Sequence, residues 1–171
     1  MTNTELDLKL KAIAGGDKKA FEELYNGMKT PVFAIIYRII WDKSLSEDVM
    51  QELFFKLYVS PPSPPPKNPR AYIFQMARNL AINSAKKLRT DLSLDDIGEV
   101  AHSPFDGIVQ QMDIDNALKS LNSESRQIVL LHVIGGFKHR EIAEMMEIPL
   151  GTALWKYQQA LSKMRKIISE T

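Results

Sequence analysis

Residues 69–90, PRAYIFQMARNLAINSAKKLRT, follow directly on a run with six prolines within residues 61–69 (PPSPPPKNP). Each proline fixes its own φ and donates no backbone hydrogen bond, so such a run excludes both helix and sheet. The chain must cross a stiff, extended connector there and then start a new element. A PxxP ligand is the alternative, but a connector between two packed helices explains the run more simply. Asn68 is a suitable N-cap and Pro69 a suitable first helical residue, so a helix is predicted over 69–90. At about 3.6 residues per turn, Ile73, Met76, Ala77, Leu80 and Ser84 share one apolar or small face. The opposite arc holds Gln75, Arg78, Asn79, Asn83, Lys86 and Lys87, with Arg70 and Tyr72 near its start. From Arg70 to Thr90 there are five Lys or Arg and no Asp or Glu. A face of guanidinium, ammonium and amide groups suits a phosphate backbone and unstacked bases. The plainer reading is a solvated basic surface.

Net charge over the 171 residues is +1, which would argue against nucleic acid if the charge were evenly spread. It is not. Residues 1–90 hold 14 Lys and Arg against 9 Asp and Glu, residues 91–115 hold 7 acids and no base, and residues 116–171 hold 8 bases and 5 acids. Two basic blocks therefore flank an acidic stretch. Cysteine is absent, which excludes disulfides and thiolate metal sites and fits a cytoplasmic location. The first residues are polar rather than signal-like, and no apolar run approaches the ~18 residues of a membrane span.

Taken in order, Thr4 to Ala14 reads as a short helix with Leu6, Leu10 and Ile13 on one side, ended by Gly15-Gly16. Asp17 caps the next helix, which turns Phe21, Leu24, Tyr25 and Met28 inward. Pro31 marks the start of a third segment after Thr30, and Val32 to Trp41 should be buried. Ser44 and Glu47 have capping-box spacing, so another helix is expected through SEDVMQELFFKLYV. Its apolar stripe is Val49, Leu53 and Leu57 with Phe54, and Asp48, Gln51, Glu52 and Phe55 fall off that stripe. An aromatic among acids is usually plain surface, and it is also a docking face for a basic partner.

Residues 90–107 lose periodicity and turn acidic, which predicts a linker over 91–107 between a domain at 1–90 and one at 108–171. In the second domain Ile108, Met112, Ala117, Leu118 and Leu121 form a first helix, and Ser123 caps a second that ends at Gly135-Gly136. A short helix (HREIAEMME), a turn at Ile148-Pro149 and a longer helix from Leu150 to about Ser169 complete a helix-turn-helix pattern. In that last helix Ala153, Tyr157, Ala160, Met164 and Ile167 or Ile168 should face the core. Thr152, Trp155, Lys156, Gln159 and Lys163 point largely away. The fold class is thus all-α: two small helical domains joined by a flexible acidic linker.

The order FEELY, SEDVMQELFFKLY, NPRAYIFQMARNLAIN and ESRQIVLLHVIGGFKHREIAEMMEIPLGT resembles the extracytoplasmic-function group of bacterial RNA polymerase sigma factors. The likeness spans nearly the whole chain outside the linker. It implies that Asp48, Gln51, Glu52 and Phe55 bind core RNA polymerase. It implies that the loop 59–68, with Ser63 and Lys67, captures a flipped base of the minus-ten element. Arg70, Tyr72, Gln75, Arg78, Asn79, Asn83, Lys86 and Lys87 would melt and hold that strand. Thr152, Leu154, Trp155, Lys156, Gln158, Gln159 and Lys163 would face the minus-thirty-five element, with an anti-sigma factor as a further partner. The chain departs from the family pattern at Glu147, where Gly is common, at Pro149, where Ser is common, and at Leu154-Trp155-Lys156, where Lys, Ser and Arg are common. Its groove-facing surface is accordingly less basic and more apolar than usual.

No cofactor and no catalytic residue is expected. His102, His132 and His139 are scattered, no metal-ligand spacing occurs, and there is no Gly-rich phosphate loop. Besides a working sigma factor, two readings compete. One is a regulator that uses only the C-terminal helix-turn-helix, which has no need for the 46–90 constellation. The other is a degenerate sigma-like protein that acts mainly by binding proteins.

Overall fold

A computed structural model of the chain describes residues 1–91 and 112–170, and the eight elements assigned among them are all α-helices. The chain divides into two compact units, residues 1–86 and 87–171. Apart from Asp91, the acidic stretch expected to be a linker lies outside the described residues, as does Ile108. No helix among the described residues is long and apolar enough to cross a membrane.

In the first unit, α1 (Asn3–Ala14) opens on a capping box. Thr2 Oγ1 accepts from the Glu5 N–H at 3.2 Å, and Glu5 Oε2 accepts from the Thr2 N–H at 2.6 Å. Leu6, Leu10 and Ile13 are buried, as expected. Asp17 caps α2 (Lys18–Ile40) by accepting from the Ala20 N–H at 3.1 Å. Leu24 and Met28 are buried, whereas Phe21 and Tyr25 are half-buried, Phe21 tilted against Tyr58 at 4.9 Å and Tyr25 edge-on to Phe54 at 4.8 Å.

Pro31 does not start a new helix. It sits inside α2, which runs on without a break. Interior proline costs about 3 kcal/mol, and here the following segment offsets it: Val32, Phe33, Ile35 and Ile36 are fully buried, and Ala34, Tyr37 and Ile40 nearly so. Burying one such aliphatic side chain contributes about 1.5–3 kcal/mol. The helix stops where Trp41 takes a left-handed conformation (φ 63°).

The cap of α3 (Lys43–Val59) is Asp42, whose carboxylate accepts from the Leu45 N–H at 2.7 Å, rather than Ser44. Once Trp41 ends α2, Asp42 is the first capping side chain the chain meets. Val49, Leu53, Phe54 and Leu57 are buried against α2, together with Ser46 and Met50. Asn68 caps α4 (Pro69–Asp91) as predicted, with Oδ1 2.9 Å from the Ala71 N.

The inward stripe of α4 differs from the expected one. Ile73, Phe74, Ala77 and Ala81 are fully buried, while Met76, Leu80 and Ser84 are only half-buried. Two helical stripes through Ile73 and Ala77 differ in angle by only tens of degrees. The larger Phe74 settles which of them faces inward.

The second unit comprises α5 (Met112–Lys119), α6 (Ser123–Val133), α7 (His139–Met146) and α8 (Leu150–Ser169). Helix α8 packs against the other three, so it is both the centre of this unit and its longest helix. Ala117, Leu118 and Leu121 are buried as expected. Asn122, not Ser123, caps α6, accepting from the Ser125 N–H at 2.8 Å. Arg126 then donates to the carbonyls of Leu118, Lys119 and Leu121 at 2.8, 3.2 and 2.9 Å, closing the end of α5. Gly135 is required by crowding, since a Cβ there would lie 2.5 Å from the Leu131 carbonyl oxygen and 2.6 Å from the Phe137 ring.

Candidate nucleic-acid interface

Asp48, Gln51, Glu52 and Phe55 are all exposed on one face of α3, opposite its buried stripe. Phe55 is 66% exposed, and Val59, one turn on, is 62% exposed. The strip is acidic at its start and apolar at its end. Glu52 pairs with Lys56 at 2.7 Å, an exposed pair worth a fraction of a kcal/mol that a stronger partner can displace.

On α4, Asn79, Asn83, Lys86 and Lys87 are exposed, and Tyr72, Gln75 and Arg78 are half-exposed. Arg78 donates to the Asn79 side chain at 3.3 Å. Tyr72, Gln75, Met76, Asn79 and Leu80 line one shallow trough of about 320 Å³. Met76 and Leu80, predicted as core, are thus part of the outer face. Aromatic and thioether surface framed by amides offers a base both stacking area and hydrogen bonds.

Arg70 is drawn elsewhere. Its backbone N–H donates to Asn3 Oδ1 at 3.0 Å, its Nη1 donates to the Met1 carbonyl at 3.2 Å, and its guanidinium lies 5.1 Å over the Phe74 ring. Burial lowers its pKa, although the group stays charged at neutral pH. It ties the start of α4 to the start of α1. Ser63 and Lys67 are exposed in the proline-rich loop. Lys67 lines a groove of about 310 Å³ with Asn3, Thr4, Asp7, Pro65, Pro66 and Pro69.

In the second unit the turn before α8 has Glu147 at φ 55°, ψ 42°, the left-handed geometry expected where Gly is usual. Its N–H still closes α7 through the Ala143 and Glu144 carbonyls. Helix α8 buries only Ala153 and Ala160 completely; Tyr157, Met164 and Ile167 are half-buried, and Ile168 is 45% exposed rather than core. Trp155 is 60% exposed and Leu154 39%, with Gln158, Gln159 and Lys163 exposed and Thr152 half-buried. Lys156 and Lys163 have partners inside the unit: Lys156 Nζ bonds Glu124 Oε2 at 2.5 Å, and Lys163 Nζ bonds the Ser120 carbonyl at 2.5 Å.

Beneath α8, His132, His139 and Tyr157 bring one ring from each of α6, α7 and α8 together, with centroids 4.4, 4.6 and 4.9 Å apart. His132 Nδ1 is 2.8 Å from the Phe137 carbonyl, so that nitrogen carries the proton. His139 Nε2 is buried with no hydrogen-bond partner. Burial, and secondarily the neighbouring His132, push its pKa below the usual 6.5. Two histidines and a tyrosine do not make a metal centre, and no group of three His, Cys, Asp or Glu suited to a metal occurs among the described residues.

Comparison with known proteins follows the same division. Residues 24–90 match the family Sigma-70 region 2, and residues 111–164 match the family Sigma-70, region 4. The chain is 25% identical to the ECF RNA polymerase sigma factor SigW of Bacillus subtilis, over 92% of this chain and 94% of that protein. It is 23% identical to the ECF RNA polymerase sigma factor SigK of Mycobacterium tuberculosis, over 97% of this chain and 95% of that protein. Among solved structures it shares its fold with CnrH in complex with the cytosolic domain of CnrY (TM-score 0.70, 16% identity, 96% of this chain and 98% of that one). It also shares it with the sigma factor RpoE in complex with the anti-sigma factor NepR from Bartonella quintana (TM-score 0.65, 16% identity, 88% and 98%).

Proposed function

Because the chain belongs to the extracytoplasmic-function type of RNA polymerase sigma factors, we propose that its two units divide promoter recognition between them. It binds core RNA polymerase, recognises promoter DNA and helps melt it so that transcription can start in the cytoplasm. In this reading Asp48, Gln51, Glu52 and Phe55 on α3 engage the polymerase. The outer face of α4 from Tyr72 to Lys87, with Ser63 and Lys67 from the proline-rich loop, holds the melted minus-ten strand. Helices α7 and α8 dock on the minus-thirty-five element. An anti-sigma factor is a third partner, by analogy with the NepR-bound sigma factor of the same fold. Sigma factors are not enzymes, and no residue here is given a catalytic role.

The observation that carries this reading is the pair of opposed faces in the first unit. One helix exposes an acid-and-aromatic strip (Asp48 to Phe55), and another exposes an acid-free strip of amides and bases (Asn79, Asn83, Lys86, Lys87). A protein partner and a nucleic acid are the two surfaces that such faces complement. A run-off transcription assay with core polymerase tests it: promoter-dependent transcripts are expected with the chain and none without it. The double variant Asp48→Ala, Glu52→Ala should lose core binding while keeping its helix content. A second reading, a sigma-like regulator that acts mainly by binding proteins, draws on Trp155 and the internally bonded Lys156 and Lys163. Core binding with no transcript from any promoter library would select it.

A further inference from the structure

The outward line of α8 is unusual for a helix that meets DNA. With Trp155 as reference, Gly151, Gln158, Gln159 and Ser162 lie within about 60° of it, and all five are exposed. Not one of them is charged. Leu154 is exposed along the adjoining edge. The two lysines on the other edge are held by Glu124 and the Ser120 carbonyl. Lys166 continues this line three turns on, about 20° around from Trp155, and Arg165 lies at its edge, so the exposed bases sit toward the C-terminal end of the helix. The centre of the helix therefore offers an indole, an isobutyl group and two amides, with cationic charge at its margins.

We propose that Trp155 and Leu154 are specificity-determining residues that read thymine in the major groove, with Gln158 or Gln159 pairing to a neighbouring adenine. The upstream element of this protein would then be rich in A·T pairs. This rests on the sigma-factor reading above and adds to it the chemistry being read. Thymine alone presents an apolar 5-methyl group in the major groove, and a Gln amide matches adenine N6 and N7. DNA, rather than a second copy or an inhibitor helix, is the occupant that charge selects. From Ile148 to Ser169 the sequence has four Lys or Arg and no Asp or Glu.

The test uses the full chain assembled with core RNA polymerase and promoter duplexes randomised over the upstream element. Selection should enrich adjacent A·T pairs. In the selected duplex, replacing thymine by uracil removes only the methyl group and should weaken binding about fourfold for each buried methyl, from ~0.8 kcal/mol per group. Trp155→Ala and Leu154→Ala should each shrink that thymine–uracil difference, with thermal unfolding of the chain unchanged. Tight, sequence-selective binding with equal affinity for thymine and uracil overturns the inference and leaves the sigma-factor reading standing. So does a Trp155→Ala variant with normal selection but lost capture by a protein partner. Failure of the assembly to select any duplex overturns both.

Discussion

Helices α4 and α8 are both long and present acid-free outer faces, 69–90 and 150–169, yet they are anchored in opposite ways. Helix α4 inserts large side chains, Ile73 and Phe74, and leaves its cationic residues Lys86 and Lys87 exposed. Helix α8 buries only alanines completely, and its Lys156 and Lys163 are spent on neighbours in the same unit. Large inward residues define one position of a helix by shape. Small ones allow close approach but define position weakly, and on α8 the half-buried Tyr157, Met164 and Ile167 share that role. On α4 the outer face carries amides and bases, while on α8 its centre is neutral and aromatic.

The packing half of this contrast should break most visibly. Phe74→Ala should destabilise the first unit by about 3–5 kcal/mol, whereas Ala160→Leu should destabilise the second by about 1–3 kcal/mol through overpacking. Met76→Ala, on the outer face, should cost far less than Phe74→Ala. Chemical denaturation followed by helix content measures all three. Equal costs for Met76 and Phe74 would mean the buried stripe of α4 has been misassigned.

The electrostatic half comes next. Neutralising Arg78, Lys86 and Lys87 together should lower the slope of log affinity against log salt for single-stranded promoter DNA by about 2, at ~0.7 per phosphate. Near ~0.1 M salt that is a loss on the order of 100-fold. Neutralising Lys156 and Lys163 should change the slope for duplex DNA by less than about 1, because Glu124 and the Ser120 carbonyl hold these two lysines against the second unit. Equal slope changes for the two helices would erase the electrostatic difference between them.

A smaller effect is expected at the turn that presents α8. Glu147→Gly removes a Cβ from a left-handed position and should stabilise the second unit by about 1 kcal/mol, since the backbone cap is retained. Differential scanning calorimetry would register a rise of several degrees in Tm, about 4–8 °C for a unit of this size. No rise would mean the Glu147 side chain contributes something that compensates for its strain.

The smallest effect concerns the rings beneath α8. His139 has a lowered pKa in the folded state, so folding favours its neutral form and the unfolded chain binds the extra proton. That contribution is fully present above the usual 6.5 and is lost as pH falls through the folded value. Amide-exchange protection factors over residues 123–169, with the intrinsic pH dependence of the chemistry divided out, should fall between pH ~7 and ~5.5, and His139→Phe should flatten the change. Helix α4 contains no histidine, so exchange across 69–86 is the internal control.

Local chemistry was enough to read most element boundaries. Asp17 and Asn68 act as caps because a short oxygen-bearing side chain satisfies amide groups that a helix start leaves open. Glu147 turns left-handed where the short helix must end, and α8 begins and ends at the residues its pattern indicated. Trp155 stands well around the helix from Ala153, which pointed it outward, but a tryptophan there could equally have been core until its 60% exposure decided it. The exposure of Asp48, Gln51, Glu52 and Phe55 follows in the same way from Val49, Leu53 and Leu57. What each of these residues would touch in a partner is not written in that spacing.

Tertiary structure decided what depends on a neighbour. The inward phase of α4 turned on where its packing partners lie, because stripes through Met76 or through Phe74 are nearly equivalent on an isolated helix. Pro31 stays within α2 because burial of the residues after it outweighs one lost hydrogen bond. Arg70 is tied to Met1 and Asn3, Arg126 closes the end of α5, and Lys156 and Lys163 are engaged by Glu124 and Ser120. A long cationic side chain reaches several partners, and sequence spacing ranks them only within its own helix. Those bonds span 32 and 43 residues for the two lysines and 67 or more for Arg70, so only the folded chain brings their ends together.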